Sequence, residues 1–390
     1  MTYLFMIGRT PELSQAEVTA VLSLLAIPFE LQFVSDAVVA VEVTEPLPCQ
    51  MLVDRLGGTV KIAQLVGSFL SDSQTEEAVA EIITNALKSE TSGKRVTFGV
   101  SLVGQVANIS LVKLSKKIKD ELEADSILSR YVLPKDGQIS SVVVTKERLC
   151  EFLCVVHNEK LLVARTQAVQ RFAAWSHRDW DRPAVDPKSG MLPPKVARMM
   201  VNVGIARLAD KQSPLILDPF CGSGTILAEA MMLGCSVVGC DKSEQAAKDT
   251  KENLTWLSKE YQLAKERFHV FTHDATKRLP TLRHLPDLIV TEPYLGPPLR
   301  RPLVKNQAVQ LAQRLGQMYE QFFVAQHDWL PGHAVIVCAL PLLLTQDNQT
   351  VGISLIDNCE KVGYTLVAGP YNYSRPGARV ARQIVILEKQ

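Results

Sequence analysis

No stretch of the 390-residue chain is apolar over the roughly 20 residues that a membrane-spanning helix needs, and the longest apolar run, around 334–344, is too short. The first seven residues lack a basic region and run into Gly8-Arg9, so they predict a first strand rather than a secretory signal. The 8 cysteines are scattered without a CxxC pair, which argues against both a disulfide framework and a zinc site and fits a reducing cytoplasm. The 7 histidines form no HxxxH or Cys-His grouping, and no metal is expected. An excess of one charge is also missing. With Lys+Arg 42 against Asp+Glu 41, any nucleic-acid surface must be local. There are no repeats and no low-complexity tracts. A 47% hydrophobic and 21% charged composition is that of a globular protein, long enough for two or three domains.

The order of predicted elements divides the chain. Residues 1–70 read as βαββαβ, with strands at 3–7, 29–34, 37–43 and 60–69, the order of a ferredoxin-like domain. Residues 71–168 read as a second α+β unit, with helices at 76–87 and 110–122 and strands at 95–100, 141–144, 151–157 and 161–167. The pattern loosens over 169–192, where Arg171, Trp175, Arg178, Arg182, Pro187 and Gly190 suggest a linker. From 193 to 390, short apolar runs alternate with amphipathic helices. That predicts an α/β domain with a doubly wound parallel sheet, closed by an antiparallel pair near 365–367 and 380–388.

The stretch 215–225 organises this second half. An apolar run ends in Asp218, a small-residue turn follows, and a helical pattern starts at once. That order presents backbone N–H groups beyond the carboxyl edge of a sheet. No lysine follows Gly224, which excludes a P-loop, and Leu227 replaces the third small residue of a dinucleotide fingerprint. Two more acids, Asp241 and Asp274, end the next two predicted strands and would line the same crevice. Asp241 is placed for ribose hydroxyls, Asp274 for an adenine amine, and Asp218 for an α-amino group or for fixing the turn. Ribose, adenine and amino acid together describe S-adenosylmethionine, whose sulfonium also favours carboxylates. After the fourth strand, Pro293 fixes the backbone and presents the ring of Tyr294 to a planar base.

Asp-Pro-Phe-Cys-Gly-Ser-Gly-Thr at 218–225 and Thr-Glu-Pro-Tyr at 291–294 resemble motifs I and IV of the amino-methyltransferases. Gly-Met-Leu-Pro-Pro-Lys at 190–195 resembles the segment before motif I in THUMP-domain tRNA guanine-N2 methyltransferases. The stretches 3–14 and 55–63 resemble the amino-terminal part of that group. The resemblance implies a Rossmann-like class I methyltransferase domain preceded by an α+β ferredoxin-like/THUMP region. It implies S-adenosylmethionine held by Asp218, Phe220, Gly222, Gly224, Thr225, Asp241, Asp274 and Leu192, with Thr291, Glu292, Pro293 and Tyr294 at the target base. It also implies tRNA as substrate, with a small activating subunit as a candidate partner. In that context Lys113, Lys116 and Lys117, which share a helix face, and Arg165 and Arg171 are candidates for RNA phosphates, with Arg178 and Arg182 beside them and Trp175 or Trp180 to stack on a base. The alternative for the lysines is a solvated face, since Asp120, Glu121 and Glu123 follow.

One departure stands out. The family pattern at motif IV is Asp-Pro-Pro-Tyr, and here Thr291 stands in the acid's place with Glu292 next to it. The sequence leaves three readings open: activation by Thr291 and loop carbonyls, a carboxylate supplied by Glu292, or loss of methyl transfer. DNA amino-methylation is the alternative substrate class, and a non-catalytic RNA-binding protein the alternative function.

Overall fold

The computed structural model describes every residue except 71–74, 91–94, 105–108, 186–190, 209–212, 265–266 and 281. The chain divides into two compact units, Met1–Val18 with Leu25–Phe172 and Thr19–Leu24 with Ala173–Gln390.

From the amino terminus, β1 (Thr2–Ile7), α1 (Pro11–Leu24), β2 (Phe29–Val34), β3 (Val38–Val43), α2 (Cys49–Arg55) and β4 (Thr59–Leu70) follow the expected order. They pair antiparallel as β2-β3-β1-β4, the ferredoxin-like arrangement. The sheet does not stop at β4. It continues through β8 (Lys160–Val169), β7 (Cys150–His157), β5 (Val96–Val103) and β6 (Ser129–Val132) into one eight-stranded sheet. A buried polar cluster ties the two halves. Lys61 Nζ of β4 lies 2.5 Å from Glu151 Oε1 of β7, and Ser101 and Thr166 donate to the same carboxylate at 2.7 and 2.8 Å. Helices α3 (Thr75–Glu90) and α4 (Leu111–Ala124) supply Ile83, Leu87, Ile118 and Leu122 to the core formed with Phe98 and Phe152.

Two sequence expectations fail here. Residues 141–144 are not a strand but open helix α5 (Ser141–Lys146), because the Ser140 hydroxyl caps it by accepting the Val143 N–H. The β-branched valines suggested a strand, and the cap overrides that preference. The expected linker contains helix α6 (Phe172–Trp180), which buries Trp175 and Arg178. Trp175 is therefore no stacking platform for RNA, and Arg178 and Arg182, both buried, are no phosphate contacts. Trp180 is 70% exposed. The part of the expected linker that holds Pro187 and Gly190 lies outside the described residues.

In the second unit, α7 (Pro194–Ile205), β9 (Leu215–Asp218), α8 (Thr225–Met232), β10 (Ser236–Asp241), α9 (Glu244–Glu260) and β11 (Phe268–Thr272) are followed by β12 (Leu288–Thr291), α10 (Lys305–His327) and β13 (Val335–Leu344). The short β14 (Thr350–Gly352) pairs with β13, and β15 (Tyr364–Tyr373) and β16 (Val380–Lys389) complete the chain. The strand order is β11-β10-β9-β12-β13-β16-β15, with β9 to β13 parallel and β16 antiparallel to both neighbours. The central strands β9, β12 and β13 are almost wholly apolar because both faces are covered, whereas β11 at the edge carries His269 and Thr272 and is partly exposed. Leu217, Ile289 and Ile336 pack with Tyr319, Phe322 and Phe323 of α10. On the other face Leu288 and Val337 press on Gly204 of α7, where a Cβ would stand 2.8 Å from Leu288 Cδ2. The strand order reverses between β9 and β12, and ligands of such sheets bind outside the carboxyl ends at that point.

Candidate active site

Asp218 ends β9, in register with Gly239 of β10, and is only 2% exposed. Its Oδ1 accepts the Phe220 N–H at 3.1 Å and the Thr291 hydroxyl at 2.7 Å. Burial, helped by the charges of Asp241 and Glu292, pushes its carboxyl up to about 7 against the opposing pull of those two hydrogen bonds. The turn beyond it depends on glycine twice. Gly222 and Gly224 have φ of +52 and +82. A Cβ at Gly222 would meet nothing within 4 Å, whereas one at Gly224 would sit 2.9 Å from Thr250 Cγ2. Helix α9 holds the turn from behind. Thr250 Oγ1 donates to the Gly222 carbonyl at 2.7 Å, and Asn253 Nδ2 donates to the Ser223 carbonyl at 2.9 Å.

Asp241 is half-buried at the end of β10. Its Oδ2 accepts the Gly222 N–H at 3.1 Å and its Oδ1 the Ser243 N–H at 2.9 Å, so it fastens the glycine turn to α9. Asp274 follows β11, and the Thr276 hydroxyl bonded to it at 2.7 Å is the main reason its carboxyl lies below the usual range. The crevice thus offers an open-backed glycine turn and carboxylates that still have lone pairs to give. That donor set fits the hydroxyls, amines and sulfonium of S-adenosylmethionine. The nearby thiols of Cys221 and Cys240 are pushed up by burial, which keeps them protonated.

Thr225, Leu192 and Phe220 are the other residues expected at the cofactor. Thr225 is buried, and its hydroxyl oxygen accepts from Arg182 Nη1 at 2.8 Å. Leu192 is buried ahead of α7, while Phe220 packs edge-on against Phe322 at 5.2 Å. Sequence reasoning missed the brace behind α8. Glu229, 1% exposed, takes Arg178 Nε on one oxygen at 2.7 Å and Arg198 Nη2 on the other at 2.6 Å. The Trp175 ring lies 4.4 Å from the Arg178 guanidinium and 5.4 Å from that of Arg198. The signal was present as two arginines and a glutamate at spacings that only the fold brings together.

The loop after β12 places its residues unequally. Thr291 is fully buried and its proton is committed to Asp218. Pro293 is buried, and Tyr294 is 50% exposed with Lys242 Nζ 6.0 Å from its ring centre. Glu292 receives a forked ion pair from Arg382 of β16, at 2.7 Å from Nε and 3.1 Å from Nη2. In the first unit, Lys113 and Lys116 are exposed on α4, whereas Lys117 lies 3.6 Å from Glu77. Arg165 is half-buried on β8, and Arg171 pairs with Asp54 at 3.3 Å. Among the described residues no three His, Cys, Asp or Glu are grouped to hold a metal ion, and no helix is long and apolar enough to cross a membrane.

A family model described as DNA methylase matches residues 179–252, which hold the glycine turn and Asp241. A tRNA (guanine(10)-N2)-dimethyltransferase of Methanothermobacter thermautotrophicus is 28% identical over 338 residues, covering 85% of this chain and 86% of that protein. The chain is similar to that enzyme along most of its length. A second tRNA (guanine(10)-N2)-dimethyltransferase, from Methanocaldococcus jannaschii, is 39% identical over 111 residues, 27% of this chain and 29% of that one. The structure of TrmN from Thermus thermophilus aligns over 100% of both chains with a TM-score of 0.59 at 17% identity. The second unit therefore has the Rossmann-like fold of S-adenosylmethionine-dependent methyltransferases.

Proposed function

We propose that this chain is an S-adenosylmethionine-dependent tRNA methyltransferase acting on the exocyclic N2 of a guanosine. The observation that carries the reading is the exposed Tyr294 ring in the loop after β12, a loop whose Thr291 bonds Asp218 and whose Tyr294 ring centre lies 6.0 Å from the ammonium of Lys242, the neighbour of Asp241. When bound, the cofactor supplies an electrophilic methyl group. Asp241 and Asp274 hold its hydroxyls and amine, and the glycine turn lets the backbone approach it. Tyr294 stacks on the target base, and the loop at 291–294 accepts hydrogen bonds from the base amine. An exocyclic amine is a poor nucleophile because its lone pair is delocalised into the ring. Acceptors that localise the pair, together with alignment of the reacting atoms, supply the rate. The first unit, with Lys113, Lys116 and Arg171 at its surface, would hold the body of the tRNA as a THUMP-like module. The free thiols of all eight cysteines fit a cytoplasmic enzyme.

The test is to incubate the pure chain with cofactor labelled in its methyl group and either unmodified tRNA or duplex DNA, and then to identify the labelled nucleoside. N2-methylguanosine in tRNA is the expected product. Label in DNA alone moves the activity to amino-methylation of DNA, and cofactor binding without transfer removes the enzyme.

A further inference from the structure

We infer that Arg182 holds the α-carboxylate of the cofactor, an inference that rests on the S-adenosylmethionine binding proposed above. Asp218, Asp241 and Asp274 suit the hydroxyls, amines and sulfonium of that molecule, but they repel the one anionic group that it carries. Arg182, just after α6, brings a cation to the glycine turn. Its Nη1 donates at 2.8 Å to the hydroxyl of Thr225, the first residue of α8, and its Nη2 lies 2.8 Å from the Met191 thioether. The same thioether receives the hydroxyl of Ser223, in the turn itself, at 3.6 Å.

Arg182 is only 6% exposed, and its Nε meets no acceptor among the described residues. Both oxygens of Glu229 are taken by Arg178 and Arg198, and Asp179 acts on Arg182 through its charge alone. Nε and Nη2 form the edge with which a guanidinium grips a carboxylate through two parallel bonds. Arg382 uses that same pair on Glu292, at 2.7 and 3.1 Å. In Arg182 the edge meets only a thioether, which is a weak acceptor. A buried charge without a partner is costly, so a carboxylate that takes this edge relieves a cost the fold already carries.

Met191 is half-buried, and its unbranched side chain changes rotamer readily, so it can yield the edge to a stronger acceptor. Helix α8 favours the same ligand group. No side chain caps it at Gly224, which leaves its first N–H groups and the positive end of its dipole for an anion. Arg182 and α8 therefore serve the carboxylate, whereas Asp241 and Asp274 serve the adenosine. Arg178 and Arg198 are equally basic, but they are committed to Glu229 and take no part.

Two ligands test this by calorimetry, with no methyl transfer involved. S-adenosylhomocysteine carries the carboxylate, and its decarboxylated analogue keeps the adenosine, the sulfur and the amine. The unaltered chain should bind the first roughly 10- to 100-fold more tightly, the range of charge-assisted hydrogen bonds. In Arg182→Met the ratio should fall towards unity, because the first ligand loses affinity while the second keeps its Kd. Arg182→Lys retains the charge without the fork and should give a ratio in between. A general loosening of the turn would weaken both ligands alike and leave the ratio unchanged. Equal binding of both ligands by the unaltered chain, or an undiminished ratio in Arg182→Met, overturns the inference and leaves cofactor binding standing. Binding of neither ligand by the unaltered chain overturns the proposed function first, and the inference with it.

Discussion

Thr291 Oγ1 donates to Asp218 Oδ1 across 2.7 Å, joining the end of β12 to the end of β9 where the strand order reverses. In sequence Thr291 stands where the motif that this loop resembles has an acid, so Asp218 faces a hydroxyl donor. The bond favours the ionised form of Asp218 and partly offsets its burial.

Asp218 makes stability depend on pH in an uncommon direction for a carboxylate. Its folded pKa of about 7 lies above the ordinary 3.8. The folded state therefore holds a proton that the unfolded state has released. That contribution is complete below about pH 4 and is lost as pH rises to about 7. Asp218→Asn keeps an oxygen acceptor for Thr291 and Phe220 without the charge. Chemical denaturation across this range should show a decline in the unaltered chain and a flatter profile in the variant.

Thr291→Val retains the shape of the side chain and removes the donor. Leaving Asp218 with one fewer partner should cost about 1–3 kcal/mol. It should also raise the Asp218 pKa further, moving the end of the stability decline to higher pH. A variant as stable as the parent with an unchanged profile would show that the bond is absent in solution.

Cofactor and base contacts should separate by mutation. Asp241→Ala loses the acceptor beside the glycine turn and should weaken S-adenosylmethionine binding measured by calorimetry. Tyr294→Ala should leave that affinity intact and abolish transfer, because the ring is exposed and makes no bond to the turn. Equal loss of cofactor affinity in both variants contradicts this division.

Glu229 is buried between Arg178 and Arg198. Glu229→Ala strands two buried guanidinium groups and should destabilise the second unit by about 3–5 kcal/mol, read as a lower Tm. A fragment beginning at residue 193 lacks Arg178 and Arg182, and should show lower thermal stability for the same reason.

The second unit was legible because its signals are local. A strand, an acid and two glycines with positive φ are contiguous at 215–225, and Asp241 and Asp274 recur at strand ends. The braces were not legible. Thr250 and Asn253 read as ordinary helix residues until α9 is laid against the glycine turn. Trp175, Arg178 and Arg182 look like a nucleic-acid surface in sequence, and only burial shows that they face Glu229 and Thr225. Thr291 and Glu292 stand out in the sequence as a departure, yet their partners lie 73 and 90 residues away. The helix at 141–146 was hidden because one serine cap outweighs three valines.

The pairing of β4 with β8 joins Lys61 to Val169. On the ribosome, β4 is made about 100 residues before its partner, an interval of roughly 5–20 s at ordinary elongation rates. Through that interval a twelve-residue strand carries a bare edge, the feature most prone to pairing with a stranger. The ferredoxin-like half thus leaves one edge of its sheet to be covered by β8. Its last edge is covered only once β8 has emerged, so grafting residues 1–70 onto another protein would carry an unpaired β4 edge with them.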